Sequence, residues 1–180
     1  MTRDTLAELL SHSFGVRSLA FSPDSRMLAS MGQEHDDMLI VWEWRSKRIV
    51  ASVRVKVTVN NIAFSLDGLS VVSAGTRHLK FWDLSSLNPA ASNATLTGTK
   101  ASQMMQRGES NMVDACFCAK TAGGSYALSH DGFLCMFDSQ RALTKWVDVK
   151  VCDCPIVGTR FTNVTCDRCL ARLPYRAVVI

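Results

Sequence analysis

Through the first 150 positions, apolar residues come in short runs broken by turn formers. "RSLAF" (Arg17–Phe21) is followed by "SPDS", then "MLASMG" (Met27–Gly32), a polar break, and "MLIVWEW" (Met38–Trp44). After Arg45, Ser46 and Lys47 comes "RIVASVRV" (Arg48–Val55). Pro23 presets φ and the Asp24 side chain bonds nearby backbone, so the first break is a turn. The pattern predicts four short antiparallel strands in about forty residues. The same order returns as "VNNIAF", a turn at "SLDG", "SVVSAG", the break "TRH" and "LKFWDL". A blurrer third copy reads "VDACFCA", a break at Gly123 and Gly124, "SYALS", the turn "HDG", "FLCMFD" and "LTKWVDV".

The copies are related in detail. "AFSPDSRMLASMG" (Ala20–Gly32) and "AFSLDGLSVVSAG" (Ala63–Gly75) start 43 residues apart, and Trp42, Trp82 and Phe137 hold equivalent places. The last interval widens because a small, polar segment, Asn88–Asn111, is inserted; its composition predicts a mobile loop. Four strands per unit at this period predict an all-β partial β-propeller of about three four-stranded antiparallel blades. The units run over about 4–54, 55–114 and 115–150. Propellers need four to eight blades, so this chain alone does not close the ring, and the remaining blades of a longer propeller are its expected neighbours. "DTLAELL" (Asp4–Leu10) is read as an outer strand that would complete a preceding blade.

Composition agrees with a folded domain, at 47% hydrophobic residues. Twenty basic and sixteen acidic residues leave a formal +4 with no clustering, which argues against a nucleic-acid partner. The N-terminus carries Asp4 and Glu8 without a secretory pattern, and no apolar run has the length of a membrane span. A soluble cytoplasmic chain with reduced thiols is expected, and seven cysteines close no disulfide framework. The triplets Asn93-Ala94-Thr95 and Asn163-Val164-Thr165 are then chance matches to the glycosylation signal.

Candidate chemistry is sparse. Cys152, Cys154, Cys166 and Cys169 could form a thiolate zinc site, but the C-x-C half is tight, and buried or incidental cysteines are the preferred reading. His12, Ser30 and Asp36 suggest a nucleophilic triad; however, Ser30 lies inside a strand rather than on an exposed sharp turn. "RSKRIVASV" faintly resembles a kinase-docking peptide, yet reads as the fourth strand of its unit. There is no phosphate-cradling glycine loop, so no cofactor is expected and enzyme activity lacks positive support.

"HSFGVRSLAFSPDSRMLAS", "HDDMLIVWEW" and "LKFWDL" resemble the WD-repeat superfamily. That resemblance implies a buried chain of hydrogen bonds joining His12, Ser30, Asp36 and Trp42, a structural network and not a catalytic site. In the second unit Val55 and Thr76 stand where the His and Asp would be; in the third, Ser129 and Asp131 remain without the Trp. The network is expected to be complete only in the first unit. Within the superfamily, "SHDGFLCMFDSQRALTKWVDVK" and the insert before it resemble the mitogen-activated-protein-kinase-binding protein family, which includes a spindle-pole WD-repeat protein linked to microcephaly. The resemblance implies a fragment of a large non-catalytic scaffold of Jun N-terminal kinase signalling or of the centrosome and spindle pole, binding other proteins through rim loops. An unrelated WD-repeat adaptor, or a metal-binding adaptor using the cysteine tail, is the alternative. Residues 151–180 depart from the family, as an incomplete blade or as a foreign end, with the second reading slightly favoured.

Overall fold

The computed structural model describes residues 5–87, 92–101, 110–118 and 124–149. Thirteen strands form three sheets among them. β1 (Val16–Phe21), β2 (Met27–Gly32), β3 (Met38–Glu43) and β4 (Arg48–Arg54) make an antiparallel meander. β5 (Val59–Phe64), β6 (Ser70–Gly75) and β7 (His78–Asp83) repeat it, with β9 (Thr97–Lys100) as the outer strand. β10 (Met112–Phe117), β11 (Ser125–Ser129), β12 (Phe133–Phe137) and β13 (Leu143–Asp148) form the third sheet. The remaining strand, β8 (Ala94–Thr95), leaves the second unit and adds in parallel to β4.

The repeated letters have a local cause. In "AFSPD" the Ser22 hydroxyl donates to Asp24 Oδ1 at 2.6 Å and accepts the Met27 N–H at 2.8 Å. In "AFSLD" Ser65 makes the same bonds to Asp67 and Ser70. Both serines are buried, so the turn satisfies a hydroxyl that water cannot reach. All three first strands also carry the same irregularity after their first residue, at Val16, Val59 and Met112.

Packing is face to face. Alternation puts Met31, Leu39 and Val41 of the first sheet against Val59, Ile62, Phe64 and Trp82 of the second. The other face of the second sheet, with Val72, Leu79 and Phe81, meets Met112, Phe117 and Phe137 of the third. The first strands touch one another and are stitched by polar side chains. Arg17 donates to Asn60 Oδ1 at 3.2 Å, and Asn60 Nδ2 donates to the Met112 carbonyl at 2.8 Å.

Two sequence expectations change. Thr5–Leu10 is not a strand, and Leu6 and Leu10 are exposed. A strand exists by ladder pairing, and this segment has no preceding sheet to pair with among the described residues. The expected insert also contains two strands, β8 and β9. "TGTK" reads as loop because it lacks apolar residues, but Gly98 is needed where it lies: a Cβ there would stand 2.5 Å from Trp82 Cε3. Residues 88–91 and 102–109 of the insert lie outside the described residues.

Repeat-equivalent positions differ sharply in burial. Ile62 on β5 is 3% exposed, whereas Leu19, its equivalent on β1, is 57% exposed. Ile62→Asp should therefore cost about 3–5 kcal/mol or prevent folding, while Leu19→Asp should cost less than about 0.5 kcal/mol. Urea unfolding followed by tryptophan fluorescence measures both; equal losses would show that the outer face of β1 is covered in this chain.

Candidate functional site

The first network is assembled from three elements. Ser30 on β2 accepts the Trp42 indole N–H from β3 at 2.8 Å and lies 2.8 Å from His12 Nε2. The Ser30 hydroxyl can donate to Nε2 or accept from it, according to the imidazole tautomer, and the ring's other nitrogen is Nδ1. That nitrogen faces Asp36 Oδ2 at 3.8 Å, too far for a hydrogen bond. Asp36 instead accepts the Ser13 and Phe14 N–H groups, each at 3.0 Å. The Phe14 N–H, then that of Ser13 and the nearby imidazole, hold its carboxyl below the ordinary range against desolvation. Burial outweighs the attraction of Asp36 and lowers the His12 pKa. Gly32 makes the approach possible, since a Cβ would stand 2.6 Å from Asp36 Cβ.

Ser30 is not presented as an exposed nucleophile. Ser30 is 3% exposed and its oxygen is engaged from two sides, so a substrate carbonyl has no approach.

In the second unit the expected His and Asp positions are unfilled, but an imidazole reaches the serine by another path. Val55 is buried in the apolar junction and Thr76 is exposed, so neither takes part. His78, at the start of β7, supplies the missing imidazole: its Nε2 lies 2.7 Å from Ser73 Oγ, which accepts the Trp82 N–H at 2.8 Å. Sequence reasoning looked for a His before the first strand. The available signal was a His five residues after Ser73, across the β6–β7 turn where Gly75 pairs with His78. Burial first, then Lys80 and Lys100, pushes its pKa down to about 4. In the third unit Ser129 Oγ accepts the Phe133 N–H at 3.0 Å, and Asp131 is exposed. Phe137 replaces the Trp and packs near Phe81, so there is no indole proton to satisfy.

Cys152, Cys154, Cys166 and Cys169 lie outside the described residues. Among the described residues no group of three or more His, Cys, Asp or Glu could hold a metal ion. Cys116, Cys118 and Cys135 are buried thiols, and burial, then Asp114, raises Cys116 to about 12.

The family described as WD domain, G-beta repeat, matches residues 3–43. WD repeat-containing protein 62 of Mus musculus is 36% identical over 81% of this chain. Mitogen-activated protein kinase-binding protein 1 of the same species is 33% identical over 82%. The chain is a WD-repeat domain. It spans about a tenth of the length of these relatives. Among solved structures, the Cps50 (Swd1) β-propeller domain of Myceliophteria thermophila superposes with a TM-score of 0.68 at 18% identity, covering 86% of this chain and 47% of that one.

The WD-repeat domain presents its turns along a rim. The β1–β2 and β3–β4 turns enclose an open cleft of about 320 Å³ lined by Asp24, Arg26, Glu43, Arg45 and two serines. Beside it Trp44 is fixed by donating its indole N–H to the Ser25 carbonyl at 2.9 Å. The Phe21 ring meets Trp44 edge-on at 6.0 Å, and the Arg45 guanidinium lies 5.1 Å from the Trp44 ring centre. Leu66 and Leu69, in the corresponding turn of the second sheet, are each 49% exposed. The third sheet sends Arg141 between sheets, 4.5 Å from the Phe81 ring centre, with Asp67 and Asp83 among the charges acting on it.

Two stability outcomes follow. Ser73→Ala leaves the buried Trp82 N–H without its acceptor and should cost about 1–3 kcal/mol, read by urea unfolding at pH 7. Unfolded, His78 titrates near 6.5; folded, near 4. Between those values the unfolded chain binds more protons, so stability falls as pH drops through that window and is fully present above it. His78→Gln should flatten the dependence of the urea midpoint on pH between 6.5 and 4. An unchanged slope would show that the imidazole is not held neutral.

Proposed function

We propose that this WD-repeat domain is a non-catalytic protein-interaction platform, and that it belongs to a scaffold of mitogen-activated protein kinase signalling or of the centrosome and spindle pole in the cytoplasm. The observation that carries the platform reading is the rim: an indole fixed at its nitrogen, an adjacent guanidinium and two exposed leucines, all on turns between rigid strands. Aromatic and arginine side chains held this way make strong anchors, because little side-chain freedom is lost on binding. The kinase-signalling setting is supported by the name of the mouse kinase-binding relative, and the centrosomal alternative by the family resemblance of the sequence. The exposed Val16, Leu19 and Phe21, equivalent to buried Val59, Ile62 and Phe64, support a preceding blade in a longer propeller. The closed surroundings of Ser30 support the absence of catalysis.

Proximity labelling in cells tests this reading. The domain should enrich kinase-cascade or centrosomal proteins over an unrelated propeller, and Leu66→Glu with Leu69→Glu should reduce that enrichment about tenfold while the thermal midpoint stays unchanged. A labelling profile identical to the control propeller would refute it, as would esterase activity that disappears in Ser30→Ala.

A further inference from the structure

The connection between β7 and β9 does something its counterparts do not. In the first and third sheets the third and fourth strands are joined by short turns, Trp44–Lys47 and Asp138–Ala142. After the second sheet's third strand, residues 93–96 lie along the outer edge of the first sheet. There Asn93 N–H donates to the Ile49 carbonyl at 3.0 Å, and Leu96 N–H donates to the Ser52 carbonyl at 3.4 Å. Between them Ala94 and Thr95 pair with Ala51 and Ser52. The Ser52 hydroxyl donates to Asn93 Oδ1 at 2.8 Å. Leu96, 4% exposed, enters the apolar junction where Val41, Ala51 and Trp82 lie, while Asn93 and Thr95 stay exposed.

This is the arrangement of a short peptide added to a sheet edge: backbone bonds for affinity, one side chain in a hole for specificity, and one polar side chain reading a neighbouring hydroxyl. The attachment is short: two ladder pairs, the flanking Asn93 and Leu96 bonds, the Ser52–Asn93 bond and the burial of Leu96 beside partly buried Ala94 hold it at a sheet edge, where a competing strand with the same groups can replace it. We propose that the β4 edge and the hole filled by Leu96 form a docking site for an extended segment of a partner protein carrying Asn-x-x-Leu, and that residues 93–96 are its resident occupant. The inference deepens the interaction-platform reading and rests on it. The covalent link holds the resident segment at an effective concentration on the order of millimolar, so the site is self-masked until that segment is released or outcompeted. Adding in parallel to β4 also sets the direction in which the partner segment must run.

The probe is a fluorescent peptide, Ser-Asn-Ala-Thr-Leu-Thr, copied from residues 92–97. By anisotropy it should bind the full chain carrying Leu96→Ser at least about tenfold more tightly than the unchanged chain, and the same peptide with Ser in place of Leu should lose that gain. A folded Leu96→Ser chain that binds no better than the unchanged one overturns the proposal. Should Leu96→Ser fail to fold, hydrogen exchange on the unchanged chain decides. Asn93 and Leu96 amides exchanging at least about tenfold faster than Val41 and Ala51 support a ladder that opens by itself, and equal rates overturn it. The peptide does not touch Leu66 or Leu69. Its failure therefore removes the edge site alone, and failure of the rim variants removes the platform reading while leaving these binding values unchanged.

Discussion

A four-stranded sheet carrying apolar residues on both faces cannot bury either of them by itself, so each unit of this chain is stable only through the sheets beside it. The two junctions meet that demand with one set of register positions. Val59, Ile62 and Phe64 do for the second sheet what Met112, Ala115 and Phe117 do for the third. Because the same faces must be presented each time, the same short sequence is written repeatedly, with its Ser-Asp turn and its irregular first strand. Val16, Leu19 and Phe21 follow the rule on the first sheet, and their exposure marks where a further sheet belongs in the repeat.

Close packing of sheets also fixes where polar groups are permitted. A tryptophan on the third strand fills space near the junction but brings an N–H that must be satisfied, and the second-strand serine meets it in both units that have the indole. What stands behind the serine varies. His12 arrives from before the first strand and His78 from the start of the third, because only the position of the imidazole matters and two chain paths reach it. Where Phe137 removes the indole, Ser129 turns to backbone instead. This polar interior stiffens the units, and the turns that carry Trp44, Leu66 and Leu69 are held on that support.

Most of the strand order was legible from the chain, since alternating apolar runs and Asp- or Gly-bearing turns report local physics. β9 was not legible. Thr97–Lys100 lacks the pattern of a strand, and its conformation is set by the Trp82 ring that Gly98 must clear. Thr5–Leu10 has an apolar pattern suited to a strand but pairs with no strand among the described residues, because the sheet it would complete is not among them. His78 escaped notice for a related reason: its role depends on a cross-strand neighbour and not on its distance from the first strand.

The sequence by itself determined the repeat, the all-β class, the turns and which faces are apolar, because each follows from side-chain periodicity and local backbone preference. Only the tertiary structure decided that a polar insertion would cross to another sheet and pair with Ala51 and Ser52. It also decided that Leu96 would be buried while its neighbours Asn93 and Thr95 stay exposed. Those outcomes depend on the gap left between two sheets and on a free strand edge beside it, and neither exists until the sheets have packed.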